Sequence, residues 1–545
     1  MATEGNSNDP ELRLLRYLYV GKEYPNYQPG CWFAHHYFIV SNVLSIEELA
    51  ENEEKELVPV ELIRKAFDSK LVTHPETLVF ALAVCCRQDK SKKLRQLAYQ
   101  NVSKICAFTP NFILFVKFVS KLCREKELNF ITQGWGHGMR RTINSWYLSK
   151  QPLEFIECVT KYKSRYGWKH KDIVKMSHPQ GSTPAHRIIL KYMVHGMAKI
   201  KDAADQENDS SVTQLIEYIQ QVEDFKRCED EVRAAGLLEK YGFSLDHVPG
   251  HLLKSKEVWH SLILKMDVAV LLNNLQRIHN LGFLTTDEPT VDRVIERLTD
   301  QYHIQNSAVH PALVFITLKN YQCSGKSLSY EKRKIREQAK KSMSPGFDPN
   351  IKIMEALNEA FLLSFNNIQS TNLRYLVTIN TNKLMDAPTW QNGNMTGFET
   401  AALIALILLR SEENVTIATF NPLGDHFINV LDIQTESLEN ILRTLKTTPG
   451  ESVILNRPIV WALKQSEKYD IFINIVDQIY EKHDDSQEVL ISYKEQMNLP
   501  QTKLINCTLC SSSSFLKNYD RHVLTINGFD ATVPNVIKAF AKGLF

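Results

Sequence analysis

The spacing of apolar residues changes once along this chain, near Leu373, and that change limits the folds open to it. Before it, apolar residues recur every three or four positions, as at Leu78 and Leu82, which is the period of helices that bury one face. After it, short β-rich apolar runs alternate with amphipathic helical stretches. The chain is therefore predicted to be all-α over residues 1–370 and α/β over residues 371–545.

The two parts predict different architectures. A chain of 545 residues is too long for one hydrophobic core, and many helices without a dominant core favour a solenoid of the HEAT or armadillo kind. In the second part, the alternation predicts a doubly wound parallel sheet with helices on both faces. Its predicted strands are Arg374–Asn380, Val415–Phe420, Tyr469–Val476 and Leu504–Thr508.

Positive charge is concentrated in one segment of an almost neutral chain. Between Lys161 and Lys201 there are ten lysines and arginines and a single acid, Asp172, whereas the whole chain carries +2. Such a run is most often the solvated face of an amphipathic helix. The alternative is a surface that binds a polyanion.

The spacing within this segment favours the second interpretation. Lys161 and Arg165 are four residues apart, and Lys171, Lys175 and His178 follow at i, i+4 and i+7, so each set is predicted to share a helix face. Tyr166, Gly167 and Trp168 are predicted to break the helix between the sets and to supply aromatic rings beside the cations. Cations with aromatic rings are the combination that holds phosphates and stacks bases.

Several other classes of protein are disfavoured. The N-terminus is polar and acidic, and the longest apolar run, Ala401–Leu409, is too short to cross a bilayer. We therefore expect no membrane association, and a location in the cytoplasm with the nucleus as an alternative. The ten cysteines are expected to be reduced core residues, and the pair Cys507 and Cys510 lacks the second pair of ligands that a zinc site needs.

No motif for catalysis or for a cofactor is present. The loop Asn380–Met385 has no glycine and no carboxylate, and Gly325-Lys326-Ser327 lacks the upstream glycine of a phosphate-binding loop. The glycines of GWGHGMRR have the wrong spacing for a dinucleotide site, and we interpret them as the entry to a helix that carries Arg140 and Arg141. We therefore predict that the protein is not an enzyme and has no cofactor.

The chain resembles the Ro/SS-A autoantigen family, ribonucleoproteins with a TROVE module followed by a von Willebrand factor A-like domain. The segments that carry the resemblance are RLLRYLYVG at Arg13, TKYKSRYGWKHKDIVKMSH at Thr160, LKSKEVWHSLILKM at Leu253, VHPALVFITLKNY at Val309 and ALNEAF at Ala356. The resemblance implies that the helical repeats of residues 1–370 form a closed ring, and that the A-like domain of residues 371–545 helps to join its ends. It also implies that Y-type small noncoding RNA binds the outer basic surface and that misfolded noncoding RNA passes a single-stranded 3′ end through the ring. Lys161, Arg165 and His178 occupy family positions implicated in RNA contact.

The A-like part departs from its family. Related domains hold a divalent cation through a DxSxS loop and later Thr and Asp residues, and such a cation needs oxygen ligands with negative charge. Asp477 alone keeps a carboxylate, so we predict a degenerate site that binds no metal. The corresponding positions here are Asn380, Asn382, Leu384, Val453, Ile454 and Asp477.

Two functional hypotheses remain open at this level. In the first, a monomeric RNA-binding protein neutralises phosphates with its basic segment. In the second, the solenoid and the A-like domain form an adaptor that binds protein partners. The candidate RNA-binding residues are Lys161, Lys163, Arg165, Lys169, Lys171, Lys175, His178, Arg140 and Arg141.

Overall fold

The structure is a computed structural model in which part of the chain is described. The described residues are 9–30, 38–122, 134–162, 164–200, 210–285, 288–326, 348–421, 427–433, 437–450, 453–479, 485–512 and 520–545. Lys163 lies outside them. Two compact units are found, one of residues 38–70 and 74–266, the other of residues up to 37, 71–73 and 267–545.

The first unit is built from helices, because its apolar residues follow the helical period. Glu76–Arg87 is buried on all sides from Thr77 onward and packs against its sequence neighbours Val58–Ser69, Lys92–Ile105 and Thr109–Leu122. Side-chain caps define several helix starts; Ser91, for example, accepts a hydrogen bond from the Leu94 backbone N–H at 3.0 Å. The remaining helices are Ser45–Glu51, His137–Leu148, Pro152–Lys161, His170–Ser177, Pro184–His195, Ser210–Arg227, Glu231–Tyr241 and Lys256–Ile263, with 3₁₀ turns at Val40–Asn42, Leu245–His247 and Leu252–Lys254.

The second unit combines helices with a sheet. Its helices are Pro10–Val20, Val268–Asn280, Pro289–Thr299, Gln301–Asn306, Pro311–Gln322, Ile351–Ser364, Gly397–Ser411, Leu438–Thr447, Arg457–Gln465, Ser486–Gln496 and Val533–Ala541, with 3₁₀ turns at Phe365–Asn367 and Lys383–Asp386. Its strands are β1 Asn26–Tyr27, β2 Arg374–Ile379, β3 Pro388–Thr389, β4 Asn392–Thr396, β5 Asn414–Phe420, β6 Ile428–Leu431, β7 Ile471–Val476, β8 Lys503–Thr508 and β9 Val523–Asn527.

Seven strands form one mostly parallel sheet in the order β1-β9-β8-β7-β2-β5-β6. Only β6 runs antiparallel to its neighbour β5, and every residue of β7, β8 and β9 is buried. Near-continuous apolar strands of this kind are what a sheet covered on both faces requires. The predicted fold class, a helical region followed by an α/β domain, is confirmed, although β6, β9 and the hairpin of β3 and β4 were not predicted.

The N-terminal segment joins this sheet. β1 pairs in parallel with β9 through Asn26 and Thr525, and the guanidinium of Arg16 donates to the backbone carbonyl of Asp520 at 3.0 Å. The ring of Tyr19 stacks on that of Phe545 at 5.1 Å. A two-residue strand has no period that a sequence could display, so this pairing was not predicted.

Among the described residues, no helix is long and apolar enough to cross a membrane.

Candidate functional site

The basic segment begins at the end of the Pro152–Lys161 helix. Tyr162 is extended, and the backbones of Arg165 and Trp168 exchange two hydrogen bonds of 3.0 and 2.8 Å. Tyr166 and Gly167 between them have φ angles of 51° and 83°, as in a type I′ hairpin turn. The predicted break at Tyr166-Gly167-Trp168 is confirmed. The prediction that Lys161 and Arg165 share a helix face is wrong, because the helix ends at Lys161.

Arg165 is held by a carboxylate from a distant part of the first unit. Its guanidinium lies 3.1 Å from the Oδ1 of Asp246, and the Tyr162 hydroxyl donates to the other carboxylate oxygen at 3.1 Å. The guanidinium also lies over the Tyr162 ring, 5.1 Å from its centroid. Burial and the nearby Asp246 raise the pKa of the Tyr162 hydroxyl, which keeps it a neutral donor. Arg165 is therefore oriented and partly neutralised.

Lys161 is also paired. Its ammonium lies 2.5 Å from the carboxylate of Glu157, one turn earlier on the same helix. Lys226, from the Ser210–Arg227 helix, donates to the Thr160 carbonyl at 2.6 Å. Both ammonium groups thus lie at the carboxyl end of the helix, where its dipole favours cations. Lys226 was missed at the level of sequence, because it lies outside the basic segment.

The His170–Ser177 helix presents its cations to solvent. Its Ile173 and Val174 are buried, whereas Lys169, Lys171 and Lys175 are exposed. The shared face of Lys171 and Lys175 is confirmed. No carboxylate of the described residues, Asp172 included, lies within ion-pair distance of these three lysines.

His178 lies just after the end of that helix. It is exposed, and its backbone is left-handed with φ 53°, its N–H donating to the Val174 carbonyl at 2.9 Å. The prediction that His178 shares a helix face with Lys171 and Lys175 is wrong, because the helix ends at Ser177 and His178 lies beyond it.

Arg140 and Arg141 lie beside this helix. They belong to His137–Leu148 and are both exposed. One turn later, Asn144 donates to the Ser177 carbonyl at 3.3 Å, so the face that carries Arg140 and Arg141 continues toward the end of the His170–Ser177 helix. No carboxylate in the described part of the chain pairs with either arginine.

Aromatic rings anchor the hairpin turn. Trp168 stacks on Trp135 at 5.5 Å, and the Trp135 indole donates to the Ser120 hydroxyl at 3.0 Å. Tyr166 at the tip is exposed, and the ammonium of Lys117 lies 5.5 Å from its ring centroid. One ring thus fixes the turn and the other is accessible. Lys117 was missed because it lies in a strongly apolar helix.

Two histidines under this surface are neutral. Burial lowers the pKa of His170 to about 4, and its Nδ1 lies 2.8 Å from the Tyr147 hydroxyl. Burial, with the nearby Lys161 and Lys226, lowers the pKa of His247 to about 3. Neither ring therefore adds positive charge to the surface.

The predicted degenerate metal site lies at the carboxyl edge of the sheet, where its polar groups bond to one another. The buried Asn380 amide donates to the Asp477 carboxylate at 2.8 Å, and its oxygen accepts from the Asn382 backbone N–H at 2.9 Å. The Asn382 side chain accepts in turn from the Leu384 N–H at 3.2 Å. Because one partner can only accept and the other can only donate, both ends of the Asn380 amide are assigned.

A neighbouring loop closes this edge further. A Cβ atom on Gly450 would lie 2.3 Å from the Thr381 carbonyl carbon, so the backbone approaches there as closely as glycine permits. Leu384, Val453 and Ile454 offer no side-chain oxygen. Within the described ranges, no group of three or more His, Cys, Asp or Glu side chains could hold a metal. The six predicted positions do not fit a divalent cation, since an amide hydrogen occupies the position in front of Asp477, which is the only carboxylate among these six.

Comparison with known protein families identifies both the helical region and the α/β region of the chain. The family model described as the TROVE domain matches residues 48–372, which is more than half of the chain, and the one described as the Ro60 vWA domain matches residues 374–541. The chain belongs to the Ro60 family of TROVE-domain proteins.

Individual relatives agree with this assignment. The chain is 23% identical to the RNA-binding protein RO60 of Caenorhabditis elegans, over 98% of this chain and 88% of that protein. It is 26% identical to the RNA-binding protein RO60 of Deinococcus radiodurans, over 75% of this chain and 72% of that protein. The crystal structure of the Deinococcus radiodurans RO (RSR) protein superposes with a TM-score of 0.81 at 23% identity, covering 98% of this chain and 100% of that one. This last similarity supports the fold.

Proposed function

We propose that this protein binds RNA through a surface here named the basic surface. It is formed by Lys161, the hairpin turn, the His170–Ser177 helix, Arg140 and Arg141. The observation that carries the proposal is that Lys169, Lys171 and Lys175 are exposed and have no counter-ion among the described residues, next to the accessible ring of Tyr166. The names of the relatives, RNA-binding protein RO60, support the same conclusion.

The proposed RNA is a small structured noncoding RNA of the Y type. Lysines without counter-ions are suited to phosphates, which they bind without reading sequence, and binding releases the counterions of the RNA. Double-stranded RNA offers little sequence information to side chains, so selectivity would come from RNA shape and from unpaired nucleotides. An exposed tyrosine beside cations is a stacking platform for such a nucleotide.

The proposal includes a second class of RNA, misfolded noncoding RNA that enters a ring of helices by a single-stranded 3′ end. Full-length protein would be crosslinked to a structured RNA with and without a single-stranded 3′ extension. Crosslinks to the extension, which disappear with it, are expected in addition to those of the structured part. Equal crosslinking of both RNAs would contradict this part of the proposal. The absence of catalysis, a monomeric state and a cytoplasmic or nuclear location stay predictions.

The basic surface is tested by filter binding of a labelled Y-type RNA over a range of salt concentrations. About four phosphate contacts predict that the logarithm of the association constant falls with a slope of about −3 against the logarithm of salt concentration. Lys161→Ala combined with Arg165→Ala should weaken binding while the thermal unfolding midpoint stays close to that of the native protein. A nearly flat salt dependence, or unchanged binding by the variant, would favour a protein–protein adaptor instead.

A further inference from the structure

A cavity in the second unit contains hydrogen-bond donors for which the described residues supply no acceptor. Its volume is about 80 Å³, it opens to solvent, and its apolar side is lined by Ile404, Ile407, Leu408 and Ile537. The first three lie on one face of the Gly397–Ser411 helix, at the spacing i, i+3 and i+4. Mostly apolar pockets with a few fixed polar groups are typical small-molecule sites.

His310 supplies the first of these donors. It precedes the Pro311–Gln322 helix, and its Nδ1 accepts the Ala312 backbone N–H at 3.1 Å. An imidazole that accepts at Nδ1 in its neutral form carries its hydrogen on Nε2. Burial lowers the pKa of His310 to about 4, so the neutral form prevails. The Nε2–H makes no hydrogen bond with any described residue, although the ring lines the cavity.

Lys538 supplies the second donor. Its ammonium donates to the Gln369 carbonyl at 2.8 Å and lies close enough to His310 to lower the pKa of that residue further. In the described part of the chain, no carboxylate pairs with Lys538. Two of its three N–H groups therefore remain for a ligand, and His310 lies at the start of the Pro311–Gln322 helix, where the helix dipole favours an anion.

One carboxylate also lines the cavity, but its bonding capacity is already used. Glu412 accepts from the Thr371 N–H at 2.8 and 2.9 Å, from the Ser370 hydroxyl at 2.8 Å and from the Asn372 N–H at 3.2 Å. These contacts hold the segment before β2 against the end of the Gly397–Ser411 helix. Glu412 is thus a structural acceptor whose charge favours the ammonium of Lys538 without a hydrogen bond to it, so the hydrogen-bond donors of His310 and Lys538 remain to be matched.

We propose that this cavity binds a small organic monoanion with an apolar body, its carboxylate between His310 and Lys538 and its body against Ile404, Ile407 and Leu408. A carboxylate accepts from both donors at once and forms charge-assisted hydrogen bonds with the ammonium. The apolar body removes the surrounding side chains from water. This site is separate from the basic surface and does not depend on RNA binding.

Isothermal titration calorimetry of the full-length protein tests the proposal, with octanoate and octanamide as probes. Octanoate is expected to bind one to one, and octanamide, which has the same chain without the charge, about tenfold or more weakly. Lys538→Met should lower the affinity for octanoate by a similar factor and leave that for octanamide nearly unchanged. Lys542→Met, which removes an exposed lysine just after the same helix, is the matched control.

A second variant keeps the test valid if Lys538→Met does not fold. His310→Asn retains a side chain that caps the Pro311–Gln322 helix but loses the Nε2–H, and it should weaken octanoate binding while circular dichroism shows the native helix content. Three results would each overturn the proposal: no saturable heat with millimolar octanoate, equal affinity for the two probes, or octanoate affinity that neither variant changes.

Discussion

The basic surface and the carboxyl edge of the sheet both carry polar residues at positions where the sequence predicts a functional site. Several of the cations on the basic surface have no counter-ion among the described residues, whereas the polar groups at the sheet edge bond to one another. On the basic surface, Lys171 and Lys175 face solvent with no counter-ion among the described residues. At the sheet edge, Asn380 and Asp477 are buried and bonded to each other at 2.8 Å. The first arrangement leaves charge for a partner, and the second leaves none.

The difference shows that residue type alone does not identify a binding site. A side chain can bind a partner when its charge or hydrogen-bonding capacity is still unused in the folded protein, because a buried group with a satisfied partner gains little by exchanging it. Within the basic surface, too, Lys161 and Arg165 are paired whereas Lys171 and Lys175 are not. Four predictions test this distinction, from the largest expected effect to the smallest.

Asn380→Asp should remove the hydrogen bond that joins Asn380 to Asp477 at the carboxyl edge of the sheet. Two carboxylates would then face each other where an amide and a carboxylate now bond, and one of them must stay protonated. We expect the free energy of unfolding to fall by about 3 kcal/mol at pH 8, and by less at pH 5 where the shared proton is retained. Urea unfolding at both pH values measures the effect.

The control for this variant is Asn382→Asp, which adds the same charge two residues away but leaves the Asn380 amide bonded to Asp477. Addition of Mg²⁺ should restore part of the stability of Asn380→Asp only. Equal stability of Asn380→Asp and the native protein at pH 8 would show that the edge is not closed by this hydrogen bond.

The buried His170 of the basic segment should make the free energy of unfolding depend on pH. The pKa of His170 is about 4 in the fold, below its ordinary value of 6.5, so as pH falls below 6.5 the unfolded chain takes up the proton first. The stability that neutral His170 contributes is present above pH 6.5 and is lost as pH falls toward 4, by about 2–3 kcal/mol. Unfolding curves of His170→Gln should show a shallower pH dependence over this window than those of the native protein.

Loss of the unpaired lysines should weaken RNA binding more than loss of the paired cations. Lys171→Ala combined with Lys175→Ala should lower affinity on the order of tenfold at low salt and make the salt slope about 1.5 shallower, because two phosphate contacts disappear. The matched control is Arg64→Ala with Lys65→Ala, which removes two exposed cations from another helix of the same unit. If Lys161→Ala with Arg165→Ala lost more RNA affinity than Lys171→Ala with Lys175→Ala, the paired cations would contribute more to RNA binding than the unpaired lysines.

Asp246→Asn should have the smallest effect, a rise in RNA affinity of a few fold. The substitution removes a negative charge and releases Arg165 from its ion pair, which at this exposure contributes about 0.2–1 kcal/mol, while the amide still accepts from Tyr162. Filter binding at two salt concentrations measures the change. A fall in affinity would show instead that Asp246 positions Arg165 for RNA.

Much of the fold was readable from the sequence because helices and buried strands repeat their apolar residues locally. The strands β2, β5, β7 and β8 are short apolar runs rich in β-branched and aromatic residues, which is typical of buried strands. β1 and β6 were not predicted, since strands of two and four residues have too few positions for a pattern. The pairing of β1 with β9 joins residues about 500 positions apart and has no local signal.

In the basic segment, too, local features were predicted from the sequence and contacts between residues far apart in sequence were not. Its lysines and the break at Tyr166, Gly167 and Trp168 were predicted from residue type and spacing, and the structure gives Gly167 the positive φ that glycine adopts freely. The ion pair of Arg165 with Asp246, and the contact of Lys226 with the end of the Pro152–Lys161 helix, could not be predicted, because both partners come from elsewhere in the chain.

The sequence by itself determined the change from helical repeats to an α/β domain, the position of the basic segment and the loss of metal-binding carboxylates, because each is a matter of residue type and local period. The tertiary structure alone decided which cations keep their charge for a partner, which amide closes the sheet edge and which donors line a cavity without an acceptor. Those outcomes depend on distances of a few Å between residues far apart in sequence, because hydrogen-bond and ion-pair energies change strongly over such distances.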